Sequence, residues 1–299
     1  MSGSTLLSAT PNAHRASSNR LTIDRAVLYL LVVILCVLFG FPLFWTLMSS
    51  LKTAADMSSY PPVIIPAVPQ WGNYLRVLIV QRLPVATWFG NSLWVTTLST
   101  AGVVITSSLV AYSFARFEFR GRNLLFTITL ATLMLPTEVT LIPQFVLFYK
   151  LGWINTLLPL WVPAWFGGGG FAIFLMRQFF LSLPKDLDEA ALIDGASYLR
   201  IFWSILLPLC KPALATLAII TVIATWGDFL GPVIYLNSPE KFTISVGLQF
   251  FKNSPDVGGE PLQHILMAAC VLSMIPIIIV FFLGQRYFVQ GIVMSGIKG

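Results

Sequence analysis

Charged residues are scarce in this sequence of 299 residues: Asp, Glu, Lys and Arg make up only 10%, while hydrophobic residues make up 57%. Soluble domains carry about 25% charged residues, so the composition excludes an ordinary soluble protein. The sequence therefore predicts an integral membrane protein. Because the apolar stretches have the length of about 20 residues that a transmembrane helix needs, the fold class that we expect is all-α.

Cysteine and histidine are also rare, with three and two copies that are too scattered for a disulfide framework or a metal motif. A GxxxxGK[ST] phosphate-binding loop is missing, so the chain is not expected to hydrolyse ATP by itself. The few polar residues in the apolar stretches form no set of acid, base, nucleophile or metal ligands. We therefore expect no enzyme, no metal site and no cofactor bound by this chain.

Long apolar stretches are what the sequence has instead. A bilayer core needs about 20 mostly apolar residues per helix, and six windows of that kind occur. They predict a polytopic protein with six transmembrane helices, near Ala26–Ser49, Trp88–Ala115, Leu124–Phe148, Leu157–Leu181, Leu207–Tyr235 and His264–Tyr287.

The basic residues predict the orientation of these six helices. With six helices both termini lie on one side, which would hold twelve of the 18 Lys and Arg residues. Because short basic loops stay in the cytoplasm, we expect both termini to be cytoplasmic. The net charge of +6 then reflects topology, and no basic run with interleaved aromatics indicates nucleic acid binding.

A polar stretch in the predicted cytoplasmic loop between the fourth and fifth helices is the most informative part of the chain. Asp186 is expected to cap a helix, with Glu189 three residues later in an arrangement like a capping box. The helix should run for about two turns and end at Gly195, which permits a positive φ. A second amphipathic piece, Tyr198–Ile205, should follow before Pro208. A short helix displayed in this way suits the transmission of a push from a soluble partner.

At these residues the sequence resembles a known family. The segment EAALIDGAS, Glu189–Ser197, followed by Ile205, Leu207 and Pro208, is similar to the EAA loop of permease subunits of bacterial ATP-binding-cassette (ABC) importers. More narrowly, it resembles carbohydrate-importer permeases of the maltose-transporter inner-subunit type. Further matches in the same order are FPLFWTLMSSLKT, NSLWVTT, AYSFARFEFRGR, LPTEVTLIPQF, FLMRQFFLSLP, WGDFLGPVIYL, TISVGL and GQRYFVQGIVMSGIKG.

The resemblance implies the type I ABC importer permease fold in a bacterial inner membrane. It implies half of a transmembrane pathway, a second homologous permease, two copies of a cytosolic ATPase that hold ATP and Mg, and an extracytoplasmic binding protein that delivers a sugar. The implied contacts with the ATPase are made by Glu189, Ala190, Ala191, Asp194, Gly195, Ala196, Ile205, Leu207 and Pro208.

The resemblance and the apolar pattern together divide the chain into four parts. Residues 1–25 are expected to be a cytosolic tail, with a transit or signal peptide as the alternative; residues 26–86 hold the first helix and an outer loop. Residues 87–287 are the ABC transmembrane type-1 core domain, including the EAA loop at 184–206. Residues 288–299 are a cytosolic tail that either contacts the ATPases or is a frayed end.

Six residues are candidates for the pathway: Glu138, Gly168, Gly169, Trp226, Asp228 and Phe229. The two acids lie at membrane depth, where they either contact substrate hydroxyls or serve as hydrogen-bonded structural groups. The run of glycines at 167–170 indicates either a close helix crossing or a locally unwound segment that lines the path. The aromatic rings either stack on sugar or belong to an interfacial belt.

One alternative function stays open beside the importer permease. A self-sufficient secondary transporter or channel would transport when reconstituted alone. Its expected features are paired ionisable residues within the helices and an inverted repeat, and the sequence shows these weakly or not at all.

Overall fold

The computed structural model describes residues 13–79, 83–253 and 262–296, whose regular structure is helical and includes no strand. In chain order the helices are α1 (Ala13–Ser50), α2 (Ala54–Ser58), α3 (Gly72–Ile79), α4 (Val85–Arg116), α5 (Arg122–Ala131), α6 (Thr137–Lys150), α7 (Leu158–Trp161), α8 (Gly170–Ser182), α9 (Asp186–Ile193), α10 (Tyr198–Ile201), α11 (Leu207–Leu209), α12 (Lys211–Trp226), α13 (Leu230–Tyr235), α14 (Ile244–Asn253) and α15 (Gln263–Gly296). The all-α prediction is confirmed.

Four stretches of the described residues are long and apolar enough to cross a membrane: Val27–Ser50, Val85–Arg116, Leu158–Ser182 and Gln263–Gln285. Two bent helix pairs raise the number to six if each pair forms one span. The first pair, α5 with α6, bends by 102°, and the second, Tyr198–Leu209 with α12, bends by 79°. Four of the six predicted windows therefore correspond to single spans, and the other two overlap the bent pairs.

The first and sixth spans agree with the predicted windows to within two residues, but their helices extend beyond the windows. Helix α1 begins at Ala13 rather than Ala26, and α15 continues to Gly296. The predicted boundaries after residues 25 and 287 both lie inside helices.

Helix α4 lies at the centre of the molecule, packed against α8 and α12. Hydroxyl groups on α4 bind the backbone of the neighbouring span: Ser99 donates to the Leu160 carbonyl at 3.1 Å, and Thr106 donates to the Ala164 carbonyl at 3.2 Å. Such bonds satisfy polar side chains where water is absent. With 32 residues, α4 is about 48 Å long and connects the two ends of the bundle.

Two apolar clusters occupy the two ends of α4. We call the first the α9 end; it surrounds the last turns of α4 and includes Tyr112, Phe180, Ile201, Phe202 and Leu206. We call the second the α14 end; it surrounds the first turns of α4 and includes Trp88, Leu236, Ile244, Phe251 and Ile265.

The segment between the fifth and sixth spans is more ordered than its composition indicates. Residues 237–263 carry three prolines and two adjacent glycines, which predict a mobile loop. In the structure it contains a 3₁₀ turn, Pro239–Lys241, and the helix α14. Val246 and Phe251 on α14 are buried, so the mobile-loop prediction is wrong for this helix. The remainder, 254–261, lies outside the described residues.

Candidate functional site

Helix α9 has the predicted length but a different beginning. Its eight residues make about two turns, as expected. Asp186 is the first residue of the helix and not its cap, since Lys185 already has helical backbone angles and its side chain makes no capping bond. The Lys185 carbonyl accepts from the Asp188 and Glu189 amides at 2.9 and 3.2 Å. The predicted capping box is therefore wrong, because the first turn closes one residue earlier.

The end of α9 is as predicted. Gly195 has a φ of +80°. The Ala196 amide donates to the Ala191 carbonyl at 2.9 Å, and the Gly195 amide donates to the Leu192 carbonyl at 3.0 Å. This pair of bonds is a Schellman motif, which requires a residue in the left-handed region at the glycine position.

The chain reverses after Gly195 into a second helical arm. The Ser197 hydroxyl caps α10 by accepting from the Arg200 amide at 3.4 Å. A π turn, Phe202–Leu206, and α11 extend the arm to Leu209, where it meets α12 at 79°. The predicted amphipathic piece is therefore present, and it lies across the end of the fifth span rather than in line with it.

One face of α9 is held against the body of the protein by an ion pair. The Arg116 Nε atom, at the end of α4, lies 2.9 Å from the Asp188 Oδ2 atom, and the two side chains are only 6% and 16% exposed. The contact is an ion pair by distance, although its angle is not that of a hydrogen bond. Burial raises the pKa of Asp188 above its usual value, and the Arg116 guanidinium opposes that rise. Beside the pair lies a cleft of about 410 Å³ that Lys185, Glu189 and Tyr198 also line.

An aromatic cluster supports the second arm. The Tyr112 ring lies 5.3 Å from Phe117, 6.0 Å from Phe180 and 5.2 Å from Phe202, measured between centroids. The Tyr112 hydroxyl donates to the Tyr198 carbonyl at 3.3 Å. The first turn after Gly195 is thereby attached to α4 by packing and by a directed bond.

The opposite face of α9 is exposed. Glu189, Ala190 and Asp194 are all exposed, and Ile193 is 87% exposed at the tip of the loop. A large aliphatic side chain is therefore exposed at the loop tip, next to small and acidic residues.

The other residues predicted to contact the ATPase divide between surface and interior. Pro208 is exposed. Ala191 is buried, and Ala196, Ile205 and Leu207 pack against the apolar cluster at the α9 end. The structure thus brings Glu189, Ala190, Asp194 and Gly195 together on one surface and places the remaining apolar residues behind them.

The pathway candidates do not form a single cluster. A methyl group at Gly168 would lie 2.8 Å from the Val103 carbonyl oxygen, so this glycine permits a close approach to α4. Gly167, Gly168 and Gly169 all have positive φ, and the span is not helical there. The close crossing and the unwound segment proposed for this run are therefore both present.

The remaining pathway candidates separate into buried and exposed residues. Trp226 is buried, and its Nε1 atom donates to the Ser273 carbonyl at 3.0 Å. Asp228 lies in the turn between α12 and α13, and its carboxylate accepts from the Gly231 amide in the first turn of α13 at 3.3 Å. Phe229 is 43% exposed and lines a groove of about 860 Å³ between α14 and α15. Glu138 is exposed in the first turn of α6.

Residues 102–294 match the family of binding-protein-dependent transport system inner membrane components. The chain belongs to this family. It is a permease subunit of an ABC importer and not an enzyme, and it is an inner-membrane component.

Relatives and a solved structure agree with this assignment. The arabinooligosaccharides transport system permease protein AraQ of Halalkalibacterium halodurans is 35% identical over 87% of this chain and 91% of its own length. The trehalose/maltose transport system permease protein MalG of Thermococcus litoralis is 33% identical over 93% of this chain and 98% of its own. A crystal structure of a bacterial ABC transporter involved in the import of the acidic polysaccharide alginate contains a chain with a TM-score of 0.80 and 25% identity, over 95% of this chain and 100% of that one. The resemblance seen in the motifs is confirmed.

Sequence reasoning missed the residues of the permease that hold the loop in place. Arg116 and Asp188 were not singled out, nor were Tyr112 and Phe202. Two opposite charges at neighbouring ends of helices could have suggested the pair, but Arg116 also stands among other arginines that fit a headgroup anchor. Only the packing of α9 against the end of α4 distinguishes them.

Proposed function

We propose that this permease forms half of the transmembrane pathway of an ATP-driven carbohydrate importer and couples to a cytosolic ATPase through α9. The observation that carries the proposal is the division of α9 into two faces. One face is held by Arg116 and the apolar cluster, and the other presents Ile193 and Glu189 to a partner. A short rigid helix exposed in this way can pass a displacement from one protein to another.

The substrate class in this proposal comes from the relatives. The two relatives are named for the transport of arabinooligosaccharides and of trehalose and maltose, and the solved transporter is involved in the import of an acidic polysaccharide. A carbohydrate of two or more linked sugar units is the class that these three share.

The proposal includes the partners and the orientation. A second homologous permease would complete the pathway, two copies of the ATPase would bind ATP and Mg, and a binding protein would deliver the sugar. Arg116, Arg177 and Lys185 at the α9 end support placing this end and both termini in the cytoplasm. Helix α1 contributes a span in which residues 27–44 are all exposed, which supports its contact with lipid or with the second permease.

Among the pathway candidates, Phe229, Asp228 and Glu138 keep the role that we propose for them. Glu138 is exposed at the bend between α5 and α6, and Asp228 and Phe229 are exposed in the turn between α12 and α13. Gly168 and Trp226 act through packing in this proposal. Gly169 has open space where a side chain would be, so it can border the path.

Replacement of Gly195 tests the coupling. Gly195→Val places a β-branched residue at a φ of +80°, which L residues adopt at a cost of about 1–2 kcal/mol or more. The space around Gly195 is open, so the fold of the rest of the protein should be retained. We expect the sugar-stimulated ATPase activity of the co-purified complex to be lost. Gly195→Asn is the matched control, because Asn tolerates this region and should keep most of the stimulation.

The assay uses the full complex in nanodiscs, with the binding protein loaded in turn with maltotriose, arabinotriose and trehalose. Normal stimulation of the Gly195→Val complex would contradict the coupling role. The alternative function makes the opposite prediction for the purified chain alone: uptake of radiolabelled sugar into liposomes without any ATPase would establish a self-sufficient transporter and refute the importer proposal.

A further inference from the structure

We propose that Arg116 and Asp188 form a strut that passes displacement of α9 directly into α4, and that they are positioning residues of the transport cycle. This inference rests on the proposed coupling function and adds the route by which the push enters the membrane. The route through α12 follows from chain connectivity alone, whereas the route through α4 requires a contact between residues 72 positions apart.

The first support is that the same guanidinium holds two points of the loop. Arg116 Nε lies 2.9 Å from the Asp188 carboxylate on α9. Its Nη2 atom donates to the Leu183 carbonyl at 3.2 Å, and Leu183 is the residue that ends α8. Arg116 therefore binds both sides of the short connection between α8 and α9, so α9 cannot shift without moving or breaking this contact.

The second support is a contact on the other side of α9. Tyr112 lies one turn before Arg116 on α4, and its hydroxyl donates to the Tyr198 carbonyl, just after the Gly195 turn. The last turn of α4 thus contacts the chain before α9, α9 itself and the chain after α9. This arrangement suits a helix that receives a displacement.

The third support is the environment of the charges. Glu118, Lys185 and Glu189 line the same cleft as the pair, and Glu189 raises the pKa of Asp188 by repulsion. A shielded ion pair contributes little to stability compared with a well-packed apolar pair, but the loss of one partner leaves a poorly solvated charge. Such a pair fixes one arrangement of α9 relative to α4 more than it stabilises the fold.

The position of α4 determines which parts of the protein a displacement of the strut reaches. This helix packs against α8 and α12 and reaches Trp88 at the opposite end of the bundle. A displacement at Arg116 is therefore delivered to a helix that packs against the fourth and fifth spans and reaches the α14 end.

Charge reversal and exchange test the strut. Arg116→Glu and Asp188→Lys should each leave the ATPase co-purified and the basal Mg-ATP hydrolysis within about twofold, while stimulation by the sugar-loaded binding protein falls about tenfold. The double variant, Arg116→Glu with Asp188→Lys, restores an opposite pair and should recover stimulation to within about threefold of the unaltered complex. Asp188→Asn, which keeps the shape of the side chain, repeats the test if a reversed charge prevents folding.

Arg120→Glu is the matched control, because Arg120 is an exposed arginine in the turn that follows α4. It should change neither basal nor stimulated hydrolysis. The probe is the sugar among maltotriose, arabinotriose and trehalose that stimulates the unaltered complex most.

Two results would overturn the strut. Full stimulation in the Asp188→Asn and Arg116→Glu complexes would show that the pair transmits nothing. Equal loss of ATPase binding in both single variants and in the exchanged pair would show a structural role only. Failure of the unaltered permease to co-purify with an ATPase is a different result, which would refute the proposed function and the strut together.

Discussion

The two ends of the bundle both contain an apolar cluster, but they differ in how much directed hydrogen bonds add to it. At the α9 end, buried rings and aliphatic side chains surround Tyr112 and Phe202, with one ion pair at the margin. At the α14 end, polar side chains bind backbone groups far away in sequence: Trp88 Nε1 donates to the Pro239 carbonyl at 2.7 Å, and Asn91 donates to the Phe242 carbonyl at 3.0 Å. Packing is non-directional, whereas hydrogen bonds fix distance and angle. The comparison indicates that apolar packing dominates at the α9 end, whereas directed hydrogen bonds fix the positions of the segments at the α14 end.

The largest effect is expected from removing an aromatic ring at the α9 end. Phe202 is 1% exposed, so Phe202→Ala should destabilise the permease by about 3–5 kcal/mol. The neighbouring Trp203 is 51% exposed, and Trp203→Ala should cost far less in detergent. The apparent melting temperature of the purified permease measures both. Equal shifts would show that packing of Phe202 does not hold this end.

At the α14 end, a single methyl group should cause an intermediate loss. A methyl group at Gly247 would overlap the buried indole of Trp88. Gly247→Ala should therefore destabilise the protein by about 1–3 kcal/mol. Gly90→Ala is the matched control, because Gly90 is also helical and has open space beside it, and the change should be neutral or favourable. The same thermal assay applies, and a neutral result at Gly247 would contradict the close contact.

Substitution of Asn155 tests whether hydrogen bonds hold the α14 end together. It has a φ of +60°, and its Oδ1 atom accepts from the Asn237 and Ser238 amides, each at 3.1 Å. Asn155→Gly keeps the backbone freedom but removes these bonds, so we expect a loss of about 1–2 kcal/mol.

Asn155→Asp retains the oxygen acceptor and should lose less. Hydrogen exchange at the amides of residues 237 and 238 reports the bonds themselves, and unchanged protection in the glycine variant would refute the interpretation.

The smallest effect is expected from the cap of the second arm. Ser197→Ala removes the bond to the Arg200 amide and should destabilise α10 by about 1 kcal/mol. Ser204→Ala changes an exposed serine of the same arm and is the control. Faster hydrogen exchange of Leu199–Ile201 in the first variant alone would support the cap, and identical exchange in both variants would exclude it.

The features that could be predicted from the sequence are those that depend on residues close together in the chain. The positive φ of Gly195 follows from a helix that ends at a glycine, and the unwound segment at 167–169 follows from a run of residues that weaken a helix. The start of α9 was misplaced because several acids compete for the same first turn. The contacts of Arg116 with Asp188 and of Asn155 with Asn237 join residues far apart in the chain, and no local pattern specifies them. Helix α14 was missed because prolines and glycines on both sides concealed its apolar face.

The break at residues 167–169 divides the fourth span into two segments that contact α4 at different positions along its length. The segment before the break, residues 158–165, accepts hydrogen bonds from Ser99 and Thr106 of α4. The segment after the break is followed by Leu183, whose carbonyl accepts a hydrogen bond from Arg116. A tilt of α4 would therefore displace the two segments by unequal amounts, and the angle between them would change. The glycine segment is therefore a hinge in the fourth span, and the angle of this hinge depends on the tilt of α4.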